Sequence, residues 1–145
     1  MAMETMKTNR VLNGSTGTTW LGENRLANIK SIKATAEGEF EEYSVAGDYR
    51  TFWDYKGYKI TGTLTLHKVD SHVLSLLKEA YRSGEMPTLK IITKLYDVQT
   101  KQSERVAMLD VALTKFDLAN IEAKTLCTEE IPFQSVEYDV LEEIA

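Results

Sequence analysis

A mainly β fold, a small antiparallel β barrel or sandwich with one flanking α-helix at about residues 71–83, is the architecture this 145-residue sequence predicts. Three observations carry that expectation. Gly57 to Ser71 alternates apolar and polar residues and then runs into a helix start. Val73 to Tyr81 repeats apolar residues at helical spacing, on one face of one helix. The remaining β-rich segments are separated by short turn signals of glycine and polar residues.

In chain order, residues 1–16 are a polar lead-in, expected to be a flexible or interface-forming arm. Thr18 to Leu21 is a short strand, and Gly22-Glu23-Asn24 is the turn of a hairpin. Arg25 to Glu37 alternates loosely as a long second strand that ends at Gly38. Glu39 to Tyr55 fits neither period, so residues 39–56 read as a long loop, yet Phe40, Tyr43, Tyr49, Phe52, Trp53 and Tyr55 crowd into it. Loops beyond about 12 to 15 residues without regular structure are uncommon and tend to be functional.

The next strand sets Tyr58, Ile60, Leu64 and Leu66 on one face and Lys59, Thr61, Thr63, Thr65 and His67 on the other, so one side packs while the other meets water. Asp70 or Ser71 caps a helix with Val73, Leu74, Leu77, Ala80 and Tyr81 on one face, and Gly84 and Pro87 stop it. Thr88 to Val98 is a strand with Leu89, Ile91 and Leu95 on one face. Gln99 to Ser103 is its turn, and Arg105 to Phe116 its antiparallel partner. Asn120 to Leu126 fits no pattern. Phe133 to Val140 closes the chain as one strand, with Val136, Tyr138 and Val140 opposite Ser135, Glu137 and Asp139.

Length and composition point to one domain, residues 1–145, with enough apolar content for its own core. A net charge of −5 argues against a domain that grips nucleic acid, which would carry a basic stripe. Cys127 has no second cysteine to pair with, and Met1 to Arg10 lacks the apolar core of a secretory signal, so folding in the cytoplasm is expected. No apolar run approaches the roughly 20 residues that span a bilayer, so no membrane insertion is expected.

The residues that could carry chemistry are scattered. Asn13-Gly14-Ser15-Thr16-Gly17-Thr18 has no lysine after its last glycine and does not join a strand to a helix, as a phosphate loop must. His67, Asp70 and His72 straddle a strand end and a helix start, poor geometry for a metal. Cys127 lacks a histidine partner. The pairs Glu41-Glu42, Glu129-Glu130 and Glu142-Glu143 point to opposite faces of a strand, so neither member can flank the other's substrate, and all read as solvated charges. No catalytic residue, metal or cofactor is expected. The aromatic segment, with Phe40, Tyr43, Tyr49, Arg50, Phe52, Trp53 and Tyr55, is the exception. Its composition is what protein interfaces favour, and its interspersed acids make full burial in a monomer expensive.

The ordered series Lys30-Ser31-Ile32-Lys33-Ala34, Ala46-Gly47 and Gly-x-x-x-x-Gly-Thr-Leu-Thr-Leu-x-Lys-Val-x-Ser from Gly57 to Ser71 resembles the tail tube proteins of contractile-tailed phages and PBSX-like prophages, from about Val11 onward. The resemblance implies a structural subunit, not an enzyme. It implies hexameric rings stacked into a hollow conduit for DNA, within a virion tail assembled in the host cytoplasm. It also implies tail sheath, tape measure and baseplate or initiator proteins as partners. The long connection between the second and third strands would reach neighbouring subunits and the next ring. Lys59, Thr61, Thr63 and Thr65 would face the lumen, past which DNA moves without specific binding. The competing expectations are a monomeric barrel that binds a small ligand under a lid formed by Glu39 to Tyr55, a related secretion-system tube, and a single-stranded nucleic-acid binder, against which the acidic balance counts.

Overall fold

The computed structural model describes residues 11–145; of the expected arm at residues 1–16, Met1 to Arg10 lies outside the described residues. Asn13 opens a single 3-10 turn, Gly14–Thr16, by accepting the Ser15 backbone N–H at 2.9 Å. The chain then runs β1 (Gly17–Leu21), β2 (Asn24–Arg25), β3 (Ile29–Ser44), β4 (Thr51–His67), α1 (His72–Leu77), α2 (Ala80–Ser83), β5 (Leu89–Asp97), β6 (Gln102–Leu113), β7 (Thr128–Ser135) and β8 (Glu137–Glu142). All strand pairs are antiparallel, in the order β2-β1-β5-β6-β7-β4-β3, with β8 also on β6. The mainly β expectation with a short helical element holds.

The path starts at β2 and ends at β3, so the sheet folds over as an open sandwich and, among the described residues, leaves one side of β3 without a strand partner. The core fills the fold. Leu21, Leu64, Leu66, Ile91, Met108, Val111, Leu113, Ile131 and Phe133 pack together, and Val73 and Leu77 of α1 close one end. Each such side chain, fully buried, contributes about 1.5–3 kcal/mol. The helical expectation is met by two short turns rather than one helix. Ser71 is the N-cap but makes no side-chain bond, and Asp70 instead accepts the His72 N–H at 3.1 Å. Gly84, at φ +79, ends α2 in the left-handed conformation that glycine reaches most cheaply. Tyr81 is 40% exposed, its ring edge-on to Phe116 and its hydroxyl bonded to the Leu113 carbonyl.

Three expectations about local structure need correction. Gly38 does not end the second strand, and Glu39 to Tyr55 is not a loop: β3 and β4 pair from Ile29↔Leu66 out to Ser44↔Thr51. The period is lost because Glu39 faces Gly57 and Phe40 faces Tyr55, so Lys56 is an extra residue that flips the phase of β4. Second, Phe133 to Val140 breaks at Val136. β7 serves both β4 and the end of β6, β8 serves β6 alone, and their register along β6 is the same on either side of the break. Asp110, at φ +51, lies in the bulge that β6 makes against β5, level with the break, and Ser135 Oγ donates to the Leu109 carbonyl at 2.6 Å. Third, Tyr58 lies on the core side of β4 but is 45% exposed, edge-on to Tyr138.

Gly62 pairs with Ala34 and Phe133 in the middle of the sheet. A Cβ there would collide with the Lys33 carbonyl oxygen and the Phe133 ring. Because the first is backbone and the second fully buried, neither can step aside cheaply. Gly62→Ala is expected to cost about 2–3 kcal/mol by overpacking, measured as a lower urea midpoint of the dispersed subunit at unchanged slope. An unchanged midpoint would show that the sheet yields there.

Candidate functional site

Two surfaces of the β3–β4 ribbon bring the expected residues together. On the first, the alternation of β4 places Lys59, Thr61, Thr63 and Thr65 opposite the buried Ile60, Leu64 and Leu66. Cross-strand pairing extends that face in both directions. Ser31, Lys33, Thr35 and Glu37 of β3 stand beside Thr65, Thr63, Thr61 and Lys59, and Glu130, Pro132 and Gln134 of β7 flank the threonines from the other edge. The result is a shallow hollow bordered by Lys33, Thr61, Thr63, Thr114 and Gln134, and on the wider face two lysines, Lys33 and Lys59, balance two glutamates, Glu37 and Glu130. The β3 residues on this face were readable from their odd-numbered alternation. Those from β7 were not, because nothing local in the sequence says which strand pairs with β4.

The second surface is the outer ribbon. Beyond the core, β3 and β4 pair only with each other among the described residues, and the aromatic residues sort by face. Phe40, Trp53 and Tyr55 lie on the core-facing side, with Phe40 5.0 Å from Trp53 and 5.5 Å from Tyr55 between ring centroids. Tyr43 stacks on Phe52 on the opposite side at 5.6 Å. Such pairs give about 0.5–1.5 kcal/mol each beyond area burial, which keeps a two-stranded ribbon in register without a core beneath it. Lys56, pushed out by the bulge, bridges Asp54 and Glu41 at 3.1 and 3.2 Å.

The ribbon turn, Val45 to Arg50, is held by Asp48. Its backbone N–H bonds the Val45 carbonyl at 3.1 Å, and its carboxylate takes the Arg50 N–H at 2.9 Å and the Arg50 guanidinium at 2.7 Å. That guanidinium, then the backbone N–H, hold the Asp48 carboxyl below its ordinary value, so the turn keeps its ion pair through the neutral range. Arg50 also lies over the Phe52 ring at 5.2 Å, and Tyr49 projects fully into solvent. The seven aromatic and arginine residues expected to act together therefore share the ribbon but split between its two faces and its tip.

Tyr58, edge-on to Tyr138, shares the core-facing side of the ribbon with Phe40, Tyr55 and Trp53, so the apolar interior continues outward as a strip whose members are 45% to 65% exposed. Tyr138 was not among the expected interface residues. The signal available was its place opposite Asp139 in the closing strand.

The remaining candidates sit apart from these surfaces. His67 ends β4 and its backbone carbonyl takes the Asn28 side chain at 2.6 Å, while His72 begins α1. Among the described residues no group of three or more His, Cys, Asp or Glu is placed to hold a metal ion. Cys127 is exposed. Glu129 corrects one expectation: it is 8% exposed rather than solvated, because it points inward and bonds Lys68 Nζ at 2.8 Å, while Glu130 next to it is exposed. The lid expectation also fails, since the segment meant to close a barrel mouth is a ribbon extending away from an open sandwich.

Against this geometry, similarity to known proteins is extensive. The model of a family described as phage tail tube protein matches residues 4–142. Phage-like element PBSX protein XkdM of Bacillus subtilis strain 168 is 27% identical over 142 residues, covering 97% of both chains. Among solved structures, the fold is similar to that of the anti-feeding prophage cap, a tube-terminating cap, with a TM-score of 0.77 at 10% identity and 97% of each chain covered. It is also similar to a chain of the PVC sheath-tube complex of an extracellular contractile injection system in the extended state, with a TM-score of 0.75 at 9% identity and 94% and 95% covered.

Proposed function

This chain belongs to the phage tail tube protein family, and from that premise we propose that six copies close into a ring, that rings stack into a hollow tube, and that the threonine face lines the bore. The observation that carries the reading is the free edge of β3, sixteen residues long, beside an apolar strip that continues the core into solvent. Both features are costly in a lone subunit and both are relieved by a neighbour.

The outer ribbon, with Phe40, Tyr43, Tyr49, Arg50, Phe52, Trp53 and Tyr55, is then the contact between copies. Lys59, Thr61, Thr63 and Thr65 face the lumen. Hydroxyls there give a DNA backbone no excess of positive charge against which to release counterions, so DNA slides without being held. The sheath lies outside, the tape measure occupies the bore during assembly, and the baseplate or initiator sets the first ring. The subunit works by geometry and surface charge, with no catalytic step and no cofactor, in a virion tail or prophage particle assembled in the host cytoplasm.

Negative-stain microscopy of concentrated protein, alone and with a matching initiator, tests the assembly. Rings or tubes with six-fold symmetry are expected, and monomers under every condition would refute it. Labelling tests the bore. Cysteines at Thr61, Thr63 or Thr65 in a Cys127→Ser background are expected to react with a small thiol reagent and to resist a bulky one in assembled tubes. Free access of the bulky label to all three places this face outside.

A further inference from the structure

Segment 114–127, which joins β6 to β7, exposes a second apolar surface: Leu118, Ile121 and Leu126 are 81%, 85% and 82% exposed. It lies at the end of the ribbon opposite the aromatic strip. Its last residue accepts the Lys68 N–H at 2.8 Å, just past the end of β4, and Asn120 bonds the Thr128 carbonyl at 3.1 Å. From Tyr55 to His67 is twelve residues of strand, about 40 Å at ~3.3 Å per residue. No single copy can bring the two surfaces together.

We infer that the strip formed by Phe40, Trp53 and Tyr55 of one copy seats on segment 114–127 of the next copy along the tube. The inference rests on the tube reading and names the surface that receives the ribbon. Charge selects this pairing over tip against tip. Residues 37–59 carry six acids and three bases, while residues 114–127 carry two of each. Two tips in contact oppose net negative charges, whereas a tip on segment 114–127 meets a neutral surface. Geometry selects it too. A tip-to-tip contact is self-complementary and ends at a dimer, but two different patches at opposite ends repeat without limit. Segment 114–127 has no strand or helix to hold it rigid, so it can settle around three aromatic rings.

Cys127, exposed at the end of this segment, supplies the test. Glu42→Cys and Ser44→Cys variants, each retaining Cys127, place a second thiol on the ribbon face that carries Phe40, Trp53 and Tyr55. Tubes of either variant, oxidised with copper phenanthroline, are expected to give a ladder of covalent multimers on a non-reducing gel. The ladder should vanish when Cys127→Ser is added, because a single thiol per copy stops at dimers. Tubes visible by microscopy that give nothing beyond dimers in both variants would overturn the contact while leaving the tube reading intact. A wild-type chain that forms neither rings nor tubes overturns the tube reading itself. In parallel, the triple variant Leu118→Ser, Ile121→Ser, Leu126→Ser is expected to leave separate rings at least tenfold less able to stack. Tubes of normal length from that variant would refute the inference.

Discussion

A chain in which Glu39–Lys56 is replaced by a short glycine-serine turn is expected to fold, to remain dispersed and to form no tubes. None of the buried core residues lies within that span, and its strands pair only with one another. The cut removes the aromatic strip and the tip together. Single substitutions should show the same effect in smaller steps. Trp53→Ala or Phe40→Ala is expected to weaken assembly by about 2 kcal/mol, the size of an interface hot spot, or roughly thirtyfold in the association constant. Sedimentation at increasing concentration reads the assembly, and thermal melting of the dispersed subunit reads the fold. Equal losses in both would mean that these rings stabilise the subunit and not its contacts.

Replacing Thr61, Thr63 and Thr65 together by lysine is expected to convert a passive bore into one that retains DNA. The present face balances Lys33 and Lys59 against Glu37 and Glu130. Three further cations per copy break that balance around the whole circumference. Retention should be strong at low salt and fall steeply as salt rises, the signature of counterion release. Tubes should still form, because these side chains point away from the core, although crowded lysines will make them less stable. Intact tubes that ignore DNA at low salt would place the bore elsewhere.

Much of this was legible because periodicity reports burial. The buried Ile60, Leu64 and Leu66 and the outward threonines fall where alternation puts them, and Val73, Leu77 and Ala80 fall where helical spacing puts them. What escaped was phase and partnership. A single extra residue, Lys56, hid a paired ribbon behind a pattern that matched no period, because a bulge moves every later side chain to the other face. The break at Val136 was invisible for another reason. It is set by Asp110 and Leu109 on β6, more than twenty residues away in sequence. Glu129 shows the limit for charges, since its burial depends on Lys68 arriving from a different strand end.

The free edge of β3 has a consequence for the subunit before it is ever used. Between synthesis and incorporation, each chain carries a row of unanswered backbone donors and acceptors through a crowded cell. The row is interrupted near one end by the extra residue Lys30, between Ile29 and Ser31, and is crowded at the other by Glu37, Glu39, Glu41 and Glu42. What remains smooth is the five-residue run Ile32 to Ala36, with Lys33 inside it. Fibril-forming segments are about six or seven residues long, with high β-propensity and low net charge. That smooth run is therefore too short for stray copies to template on, and the chain can wait in solution until a growing tube end presents the one neighbour that fits.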